Sequence, residues 1–417
     1  MYPYLSKYDK IENDLKLKQL QIKSLLSITQ AINENIAVNE LYNMYNTFLS
    51  WDMGVGKMGL FTESDGKWKC VSQIGIDYNL DKEDIIELMF SYQRTSPLKE
   101  DDKLFLPDFD VVIPVYHKKQ PIAFAFIGEI RDKDGDIYDQ IQFINTITNI
   151  VAVAIENKRL FKEQLEQERY KRSLELAAEM QRKLIPDKLP SGDDIQFDSY
   201  YKPHFNVGGD YLDVFKIEDR YVFCIADVSG KGVAAALLMA NFQALLRSMV
   251  DKFTDISSLI RALNEAVFRI TRGEKFISFF IGSISTKSNL LEYVNAGHNS
   301  PLLCCDENYK WLEKGCPILG VIPELPAVEI GLELLHSHTI IFCYTDGVTE
   351  FKEKNGNFLG QEFIKDFAED NGILKPEIFN QKFLKRVQKI GGDEKFVDDI
   401  ALLTVRYSKG RNHQLKQ

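Results

Sequence analysis

Paired cysteines, long apolar runs and an excess of basic residues are all missing from this 417-residue sequence. Its six cysteines include no CxxC pair, which argues against zinc or disulfides and favours reduced thiols. No stretch approaches the roughly 18 to 20 apolar residues of a membrane helix. The opening MYPYLSK lacks the basic-then-apolar order of a signal peptide. We therefore expect a soluble, cytoplasmic protein that does not act at a membrane.

The charge balance argues against nucleic acid as the main partner. The chain has 51 Lys and Arg residues against 61 Asp and Glu residues, a formal net charge of -10. Recognition of a phosphate backbone requires a basic face, which this composition does not favour. The 45% of hydrophobic residues are enough for a substantial core, and the length favours two domains and a connector.

Apolar periodicity divides the chain into segments of an α+β fold. Helical spacing between about Lys16 and Asn33 predicts an amphipathic entry helix, and mixed helices and strands follow it. In the C-terminal half, strands outnumber helices and the helices come in pairs, which favours a layered sheet sandwich. The predicted segments are an N-terminal helix (1–37), a small α+β domain (38–157), a helical linker (158–190), a second domain (191–408) and a polar tail (409–417).

A long helix is predicted between the two domains. From Ile141 the apolar residues keep a spacing near 3.5, and the first helix breaker is Pro186, so some 45 residues form one helix. Such a segment resembles a signalling helix or short coiled coil that joins two domains, and we expect a homodimer. A solvated helical linker without a signalling role is the alternative.

Acidic residues in the C-terminal half stand beside short apolar runs that are typical of strands, with a small residue nearby to turn the chain. We expect a sheet to present these carboxylates together at one edge. Like charges at such a site repel each other by several kcal/mol, so they imply bound cations or raised pKa values. Hard ions such as Mg²⁺ or Mn²⁺ suit oxygen ligands. The segments are Gly208-Gly209-Asp210, Asp227-Val228, Asp346-Gly347 and Asp398-Asp399.

Together with three further motifs, these segments resemble the bacterial branch of the metal-dependent serine/threonine phosphatases (PP2C-like, SpoIIE-type), which dephosphorylates anti-sigma-factor antagonists. The resemblance covers about residues 176–406. Seven motifs carry it, in order: Ala178-x-x-x-Arg182-x-Leu184-x-Pro186, Val207-Gly208-Gly209-Asp210-Tyr211-x-Asp213, Asp227-Val228-Ser229-Gly230-Lys231-Gly232, Asn295-Ala296-Gly297-His298-Asn299, Gly315-Cys316-Pro317-Ile318-Leu319-Gly320, Thr345-Asp346-Gly347-Val348-Thr349-Glu350 and Asp398-Asp399-Ile400.

The resemblance implies an α-β-β-α sandwich that holds two Mn²⁺ or Mg²⁺ ions, whose bridging water attacks phosphorus. By motif, Asp227 bridges both ions and Asp346 holds one of them, and these two are the predicted catalytic residues. Asp399 is either a direct ligand or a residue that supports the ligands. The full implied set is Asp210, Asp227, the Val228 carbonyl, Asp346, Asp398 and Asp399.

Other polar residues receive lesser roles. Asp213 is expected to be a solvated loop residue, His298 a structural hydrogen-bonding residue and Lys231 a surface or supporting charge. Ser229 stands where the eukaryotic branch has a general-acid histidine, so expulsion of a poor leaving group is expected to be harder. The arginine that clamps phosphate in the eukaryotic branch has no identified counterpart. Gly230-Lys231-Gly232 lacks the spacing of a P-loop.

The N-terminal domain resembles a GAF domain, a small-ligand sensor, through its order of elements and flanking helices. It has no cyclic-nucleotide motif, and Cys70 alone does not make a bilin site. A dimerisation domain with a filled pocket, or a PAS domain, is the alternative.

The resemblance implies a phosphorylated protein substrate, a STAS-domain antagonist of an anti-sigma factor. The sensor binds an unknown small ligand or none. Two other functions remain open, a phosphoprotein-binding scaffold and a cyclic-nucleotide cyclase.

Overall fold

The computed structural model describes residues 3–64, 66–131, 137–204, 206–305, 308–353, 356–391, 396 and 398–408. The chain forms two compact units, Met1–Glu168 and Arg169–Gln417. The division at Glu168 falls inside the predicted linker 158–190. The predicted polar tail, 409–417, lies outside the described residues.

The N-terminal unit contains an antiparallel sheet with the strand order β2-β1-β5-β4-β3. Its elements are α1 (Pro3–Asn33), α2 (Val38–Thr47) with a π-helical turn (Phe48–Asp52), β1 (Val55–Ser64), β2 (Lys67–Ile74), α3 (Glu83–Met89), β3 (Ser96–Pro97), a 3-10 turn (Asp102–Leu104), β4 (Val111–His117), β5 (Gln120–Ile130) and α4 (Ile137–Arg182).

Helices cover both faces of this sheet. On one face α1, α2 and α4 pack against the apolar side chains of β1, β4 and β5, and the Tyr45 hydroxyl lies 2.6 Å from Thr148 Oγ1 in that layer. On the other face α3 packs against Phe61, Phe124 and Phe126. The α+β order predicted from the sequence is confirmed. The two-residue strand β3 was not predicted, because so short a segment has no periodicity to read.

Helix α4 runs without a break for 46 residues, as predicted. The residues from Leu160 to Ser173 are partly or fully exposed on every face, including Phe161 and Tyr170, at 61% and 65% exposure. The helix ends at Arg182, just before Pro186, which lacks the N–H that a continuing helix needs. Among the described residues, no helix combines the length and apolar character that crossing a membrane requires.

The C-terminal unit contains two sheets. The first has the order β13-β10-β9-β8-β7 with β14 beside β10, and the second has the order β12-β11-β15-β16-β6. The elements are β6 (Ile195–Lys202), β7 (Tyr211–Ile217), β8 (Arg220–Val228), α5 (Val233–Met249), α6 (Ile256–Thr271), β9 (Ile277–Ser285), β10 (Leu290–Ala296), β11 (Leu302–Cys305), β12 (Asn308–Trp311), β13 (Gly315–Cys316), β14 (Gly331–Leu334), β15 (Thr339–Tyr344), α7 (Asp346–Thr349), α8 (Gly360–Asn371), α9 (Pro376–Gly391) and β16 (Ile400–Tyr407).

Three apolar layers make this unit an α-β-β-α sandwich, as predicted. Helices α5 and α6 cover the first sheet through residues such as Phe242 and Leu263. Phe223 and Leu403 belong to the layer between the two sheets. Helices α8 and α9 cover the second sheet in a layer that includes Phe383. All six cysteines are free thiols, and Cys224, Cys304 and Cys343 are buried.

Strand β7 corrects the prediction for Asp213, which is a fully buried strand residue rather than a solvated loop residue. Its carboxylate accepts hydrogen bonds from the Tyr211 hydroxyl at 2.6 Å and from Arg247 Nε at 2.8 Å. The pairing with Arg247 of α5 offsets the cost of burying the charge. A partner so distant in sequence leaves no local sign near Asp213, so the sequence alone does not predict its burial.

Candidate active site

The strand arrangement brings the acidic segments to one edge of the sandwich. Strand β7 begins immediately after Asp210, and Asp227 lies near the end of the neighbouring antiparallel strand β8. In the second sheet, Asp346 follows β15, and Asp398 precedes the antiparallel strand β16. Because antiparallel neighbours place the start of one strand beside the end of the other, each pair shares an edge.

Hydrogen bonds connect these two edges across the sandwich. The Thr345 hydroxyl donates to Asp210 Oδ2 at 2.7 Å. Asp399 accepts the Gly209 N–H at 2.6 Å on one oxygen and the His204 N–H at 2.7 Å on the other. Both oxygens of Asp399 are therefore engaged by backbone, which favours its role as a support for the loop that carries Asp210.

Three glycines allow this close approach. A Cβ on Gly208 would lie 2.3 Å from Asp399 Oδ2, and one on Gly209 would lie 2.9 Å from the Val228 carbonyl oxygen. A Cβ on Gly347 would lie 1.9 Å from the Asp399 carbonyl oxygen. Any side chain at these positions would push the acidic segments apart, which explains the glycines beside Asp210 and Asp346.

The carboxylates raise one another's pKa values. Burial raises the pKa of Asp227 to about 7, and the charges of nearby carboxylates, that of Asp346 first, add to the effect. Burial, followed by the charges of Glu350 and Asp398, raises the pKa of Asp346 to about 6. Burial and the charge of Asp227 hold the pKa of Asp210 well above its usual range. The predicted acidic residues are thus brought close enough for their charges to interact.

The oxygen atoms of these residues are of the chemical type that binds a hard divalent cation. They are carboxylate oxygens with the Val228 carbonyl against Gly209, and Mg²⁺ and Mn²⁺ prefer such ligands. One cation of the chain already uses part of this set, because Lys231 Nζ lies 2.6 Å from Asp398 Oδ2. With the side chains in this arrangement, no three His, Cys, Asp or Glu residues among those described are grouped to enclose a metal ion.

Ser229 and His298 have structural partners. Ser229 Oγ accepts the Phe276 N–H at 2.9 Å, and the Ser229 N–H donates to the Phe276 carbonyl at 2.9 Å. The His298 N–H donates to Asn295 Oδ1, and its Nδ1 lies 2.9 Å from the Ser278 hydroxyl. Burial lowers the pKa of His298 to about 4, so the ring is neutral at pH 7. The structural role expected for His298 matches these contacts.

Gln181 is a residue whose role the sequence did not reveal. Its side-chain amide donates to the Gly208 carbonyl at 2.6 Å and accepts the Gly208 N–H at 3.1 Å. Ala178, one turn earlier in α4, packs with Val207 and Ala236. The last turns of α4 therefore hold the loop that carries Asp210. Gln181 occupies an unspecified position of the first motif, so only the fold identifies its partner.

The N-terminal unit has an open cavity of about 510 Å³ between α2 and the edge strand β2. Amide and hydroxyl groups dominate its lining, and the Ser72 hydroxyl donates to Asn46 Oδ1 at 2.8 Å within it. Its lining residues are Asn39, Tyr42, Asn43, Asn46, Cys70, Val71, Ser72 and Gln73.

Two sheets covered by paired helices, with carboxylates gathered at one edge, place the C-terminal unit in the PP2C-like class of folds. The SiaA-PP2C domain of Pseudomonas aeruginosa has this fold, and it aligns with a TM-score of 0.53 at 19% identity over 58% of this chain and 99% of that chain. Residues 217–408 match the family model described as stage II sporulation protein E (SpoIIE). This part of the chain is therefore similar to SpoIIE-type domains of the bacterial PP2C-like phosphatases.

Curated relatives agree with this assignment. Protein IcfG of Synechocystis is 25% identical over 66% of this chain and 48% of its own length. Phosphoserine phosphatase RsbU of Bacillus subtilis is 25% identical over 58% of this chain and 71% of its own length. Phosphoserine phosphatase RsbP of the same organism is 25% identical over 43% of this chain. The alignments span about half the length of IcfG and RsbP, at 48% and 46%.

Proposed function

We propose that this protein is a metal-dependent phosphatase that removes phosphate from serine or threonine of a regulatory partner protein. The cluster of buried carboxylates at the sheet edge of a SpoIIE-type domain is the observation that carries this proposal. The names of two relatives, phosphoserine phosphatases RsbU and RsbP, support the reaction class.

The residues that would hold two Mn²⁺ or Mg²⁺ ions are Asp227 with the Val228 carbonyl, Asp346 and Asp398 from the second sheet, and Asp210. When bound, the ions would activate a water molecule and neutralise charge on the phosphoryl group. The protein contributes by placing these carboxylates before the ions arrive. Asp399 and Thr345 hold the loop and the side chain of Asp210, so this residue needs little rearrangement, whereas Asp398 must first leave Lys231.

Proton supply to the leaving group is the weak part of this site. Ser229 is engaged with Phe276, and His298 is neutral and buried. Neither residue is a proton donor at neutral pH. We therefore expect aryl phosphates, whose leaving groups need little protonation, to react more readily than alkyl phosphates.

The partner and the regulation form the finer part of the proposal. The substrate is a STAS-domain antagonist of an anti-sigma factor, and the GAF-like N-terminal domain sets the activity, through the cavity at α2 or without a ligand. Helix α4 transmits the signal to the catalytic domain, because its Gln181 is hydrogen-bonded to the backbone of Gly208 in the loop that carries Asp210. The exposed apolar residues of the segment 160–173 favour a homodimer through a coiled coil.

Hydrolysis of p-nitrophenyl phosphate by the full-length protein tests the reaction. We expect turnover with Mn²⁺ or Mg²⁺, none with EDTA, and at least a hundredfold loss in Asp227→Asn. Asp251→Asn, which changes an exposed carboxylate in the turn after α5, is the matched control and should keep full activity. Absence of turnover with any divalent ion in the folded protein would contradict the proposal and favour a phosphoprotein-binding scaffold.

A further inference from the structure

A groove on the C-terminal unit lies along the exposed side of α6. It has a volume of about 670 Å³ and is lined by three arginines, Arg261, Arg269 and Arg272. All three are exposed. Arg261 and Arg269 are eight residues apart and lie on one side of the helix, because an α-helix completes a turn every 3.6 residues. Arg272 is the residue that caps the C-terminal end of the helix.

The floor of this groove is apolar and its wall is fixed. Phe268 and the buried Leu325 line the groove between the arginines and the residues after β13. Asn264 holds that wall, because its side chain accepts the Gly320 N–H at 3.0 Å and donates to the carbonyls of Ile322 and Pro323. Asn264 is only 1% exposed, so the wall is preformed.

The three arginines of the groove differ in the hydrogen bonds and ion pairs that they form. Arg261 donates to the Leu325 carbonyl at 2.7 Å, and Arg269 pairs with Glu265 at 2.5 Å. Among the described residues the structure gives Arg272 no carboxylate partner. Glu324 also lines the groove. Three arginines against two glutamates leave a local positive charge on a chain whose net charge is -10.

The groove adjoins the candidate active site along the chain. Arg272 ends α6, and the turn that follows leads to Phe276, which is hydrogen-bonded to Ser229. In the same turn the Lys275 ammonium lies 2.6 Å from the position that a Cβ on Gly230 would take. A segment bound in the groove would thus lie near the loop that follows Asp227.

We propose that this groove docks an acidic segment of the protein substrate, close in sequence to its phosphorylated residue. Guanidinium groups pair with carboxylates in a two-pronged geometry, and the apolar floor accepts the aliphatic parts of the segment. Such docking selects a partner by charge before the phosphate reaches the carboxylate cluster. The substrate role rests on the proposed phosphatase function.

Binding to the full-length protein tests the groove directly. The probes are two unphosphorylated, fluorescein-labelled peptides of equal length, one with a run of four aspartates and the other with four asparagines. By fluorescence anisotropy at low salt, the wild type should bind the aspartate peptide at least tenfold more tightly. Arg269→Glu with Arg272→Glu should abolish that preference, and Lys252→Glu with Lys375→Glu, which changes the net charge equally at other exposed positions, should keep it.

Activity provides a second measurement. The substrates are phosphoserine peptides in which the run of four aspartates lies at increasing distances from the phosphoserine. For some of these peptides, kcat/KM should be about tenfold lower in the double variant Arg269→Glu with Arg272→Glu than in the wild type. Turnover of p-nitrophenyl phosphate should stay unchanged. Equal binding of the two peptides by the wild type, or an unchanged preference in the folded arginine variant, would overturn the docking proposal. If the wild-type protein does not hydrolyse p-nitrophenyl phosphate at all, the proposed phosphatase function is refuted instead. The anisotropy measurement would still test whether the groove binds an acidic peptide.

Discussion

At the scale of single residues, three acidic side chains of the cluster are held by partners from the chain itself. Thr345 holds Asp210, two backbone N–H groups hold Asp399, and Lys231 pairs with Asp398. Burial and nearby carboxylates nevertheless raise the pKa of Asp227 to about 7 and hold the pKa of Asp210 well above its usual range. Holding these carboxylates together without metal ions therefore costs free energy.

This cost predicts how the metal-free protein responds to pH. The pKa of Asp227 lies near 3.8 in an unfolded chain and about 7 in the folded one. Between these values the folded state binds more protons, so the free energy of unfolding falls as pH rises. Asp227→Asn should reduce this slope, to which Asp210 and Asp346 also contribute, and stabilise the metal-free protein at pH 8 by about 2 to 4 kcal/mol. Urea unfolding in EDTA at pH 5 and pH 8 measures both effects, and equal slopes in wild type and variant would contradict the prediction.

Lys231 predicts a second effect on metal binding. Its ammonium competes with a divalent cation for Asp398, since the two groups form an ion pair at 2.6 Å. Lys231→Gln should therefore lower the Kd for Mn²⁺ about fivefold, as expected for a partly exposed pair. Isothermal titration measures the Kd, with Lys252→Gln as a control of equal charge. Weaker binding in Lys231→Gln would show that the lysine supports the site rather than competing for it.

At the scale of elements, the site depends on how closely the loops of the two sheets approach. Gly347 is the second residue of the short helix α7 (Asp346–Thr349) and lies against the backbone of Asp399, just before β16. The bond from Thr345 to Asp210 joins the same two sheets. Small residues and short loops here matter more than the apolar content of the strands.

Gly347→Ala should separate Asp346 from Asp398 and remove most metal-dependent turnover. The added Cβ would lie 1.9 Å from a backbone oxygen, so the backbone must move. Gly372→Ala is the matched control, because its nearest atom is 3.1 Å away and its φ of -61° suits alanine. We expect a stability loss of about 2 kcal/mol or more in the first variant and little change in the second. Retained Mn²⁺ affinity in Gly347→Ala would contradict this account.

Sequence reasoning succeeded where the information is local. The unbroken apolar spacing up to Pro186 predicted α4, and acidic residues beside apolar runs predicted the carboxylate edge. It failed where a distant partner decides the outcome. Strand β7 was missed because Asp213 interrupts its apolar pattern, and only Arg247 of another element explains that burial. The role of Gln181 could not be predicted either. Its partner, the backbone of Gly208, is distant in sequence, and a backbone group leaves no mark on the sequence.

Gln181 also predicts how the end of α4 affects the site. Gln181→Leu leaves the buried Gly208 N–H and carbonyl without these partners, at a cost of about 1 to 3 kcal/mol for each group. The loop of Asp210 should loosen, and turnover should fall about tenfold or more. Glu179→Gln, an exposed change in the same turn, is the control. Equal turnover and equal Mn²⁺ affinity in both variants would show that α4 does not hold the site.

At the scale of the whole molecule, one helix belongs to both compact units. Residues of α4 pack in the core of the N-terminal unit, and its last turns hold a loop of the C-terminal unit. The exposed stretch from Leu160 to Ser173 lies between these two parts of the helix. Under the proposed control by the N-terminal domain, this continuous helix would transmit rotation from one end to the other.

Insertions in that stretch test this transmission. Two added residues after Glu166 rotate one end of the helix by about 200°, and seven rotate it by only about 20°. Under the proposed control by the N-terminal domain, the first insertion should change the basal rate severalfold and the second should preserve it. Turnover of p-nitrophenyl phosphate by the two folded variants provides the comparison. Equal rates would favour a helical linker without a signalling role.

The hydrogen bonds that join the two sheets also determine at what point of protein synthesis the carboxylate cluster can form. Strand β16 lies between β15 and β6 in the second sheet, and Asp398 and Asp399 immediately precede it. A ribosome must therefore extend the chain through Tyr407 before the acidic edge can be completed. Until then the nascent polypeptide has Asp210, Asp227 and Asp346 without the Asp399 carboxylate that holds the loop of Asp210. Under the proposed function, a chain that stops short of β16 would therefore be unable to remove phosphate from the partner, and only a finished copy of the domain would act on it.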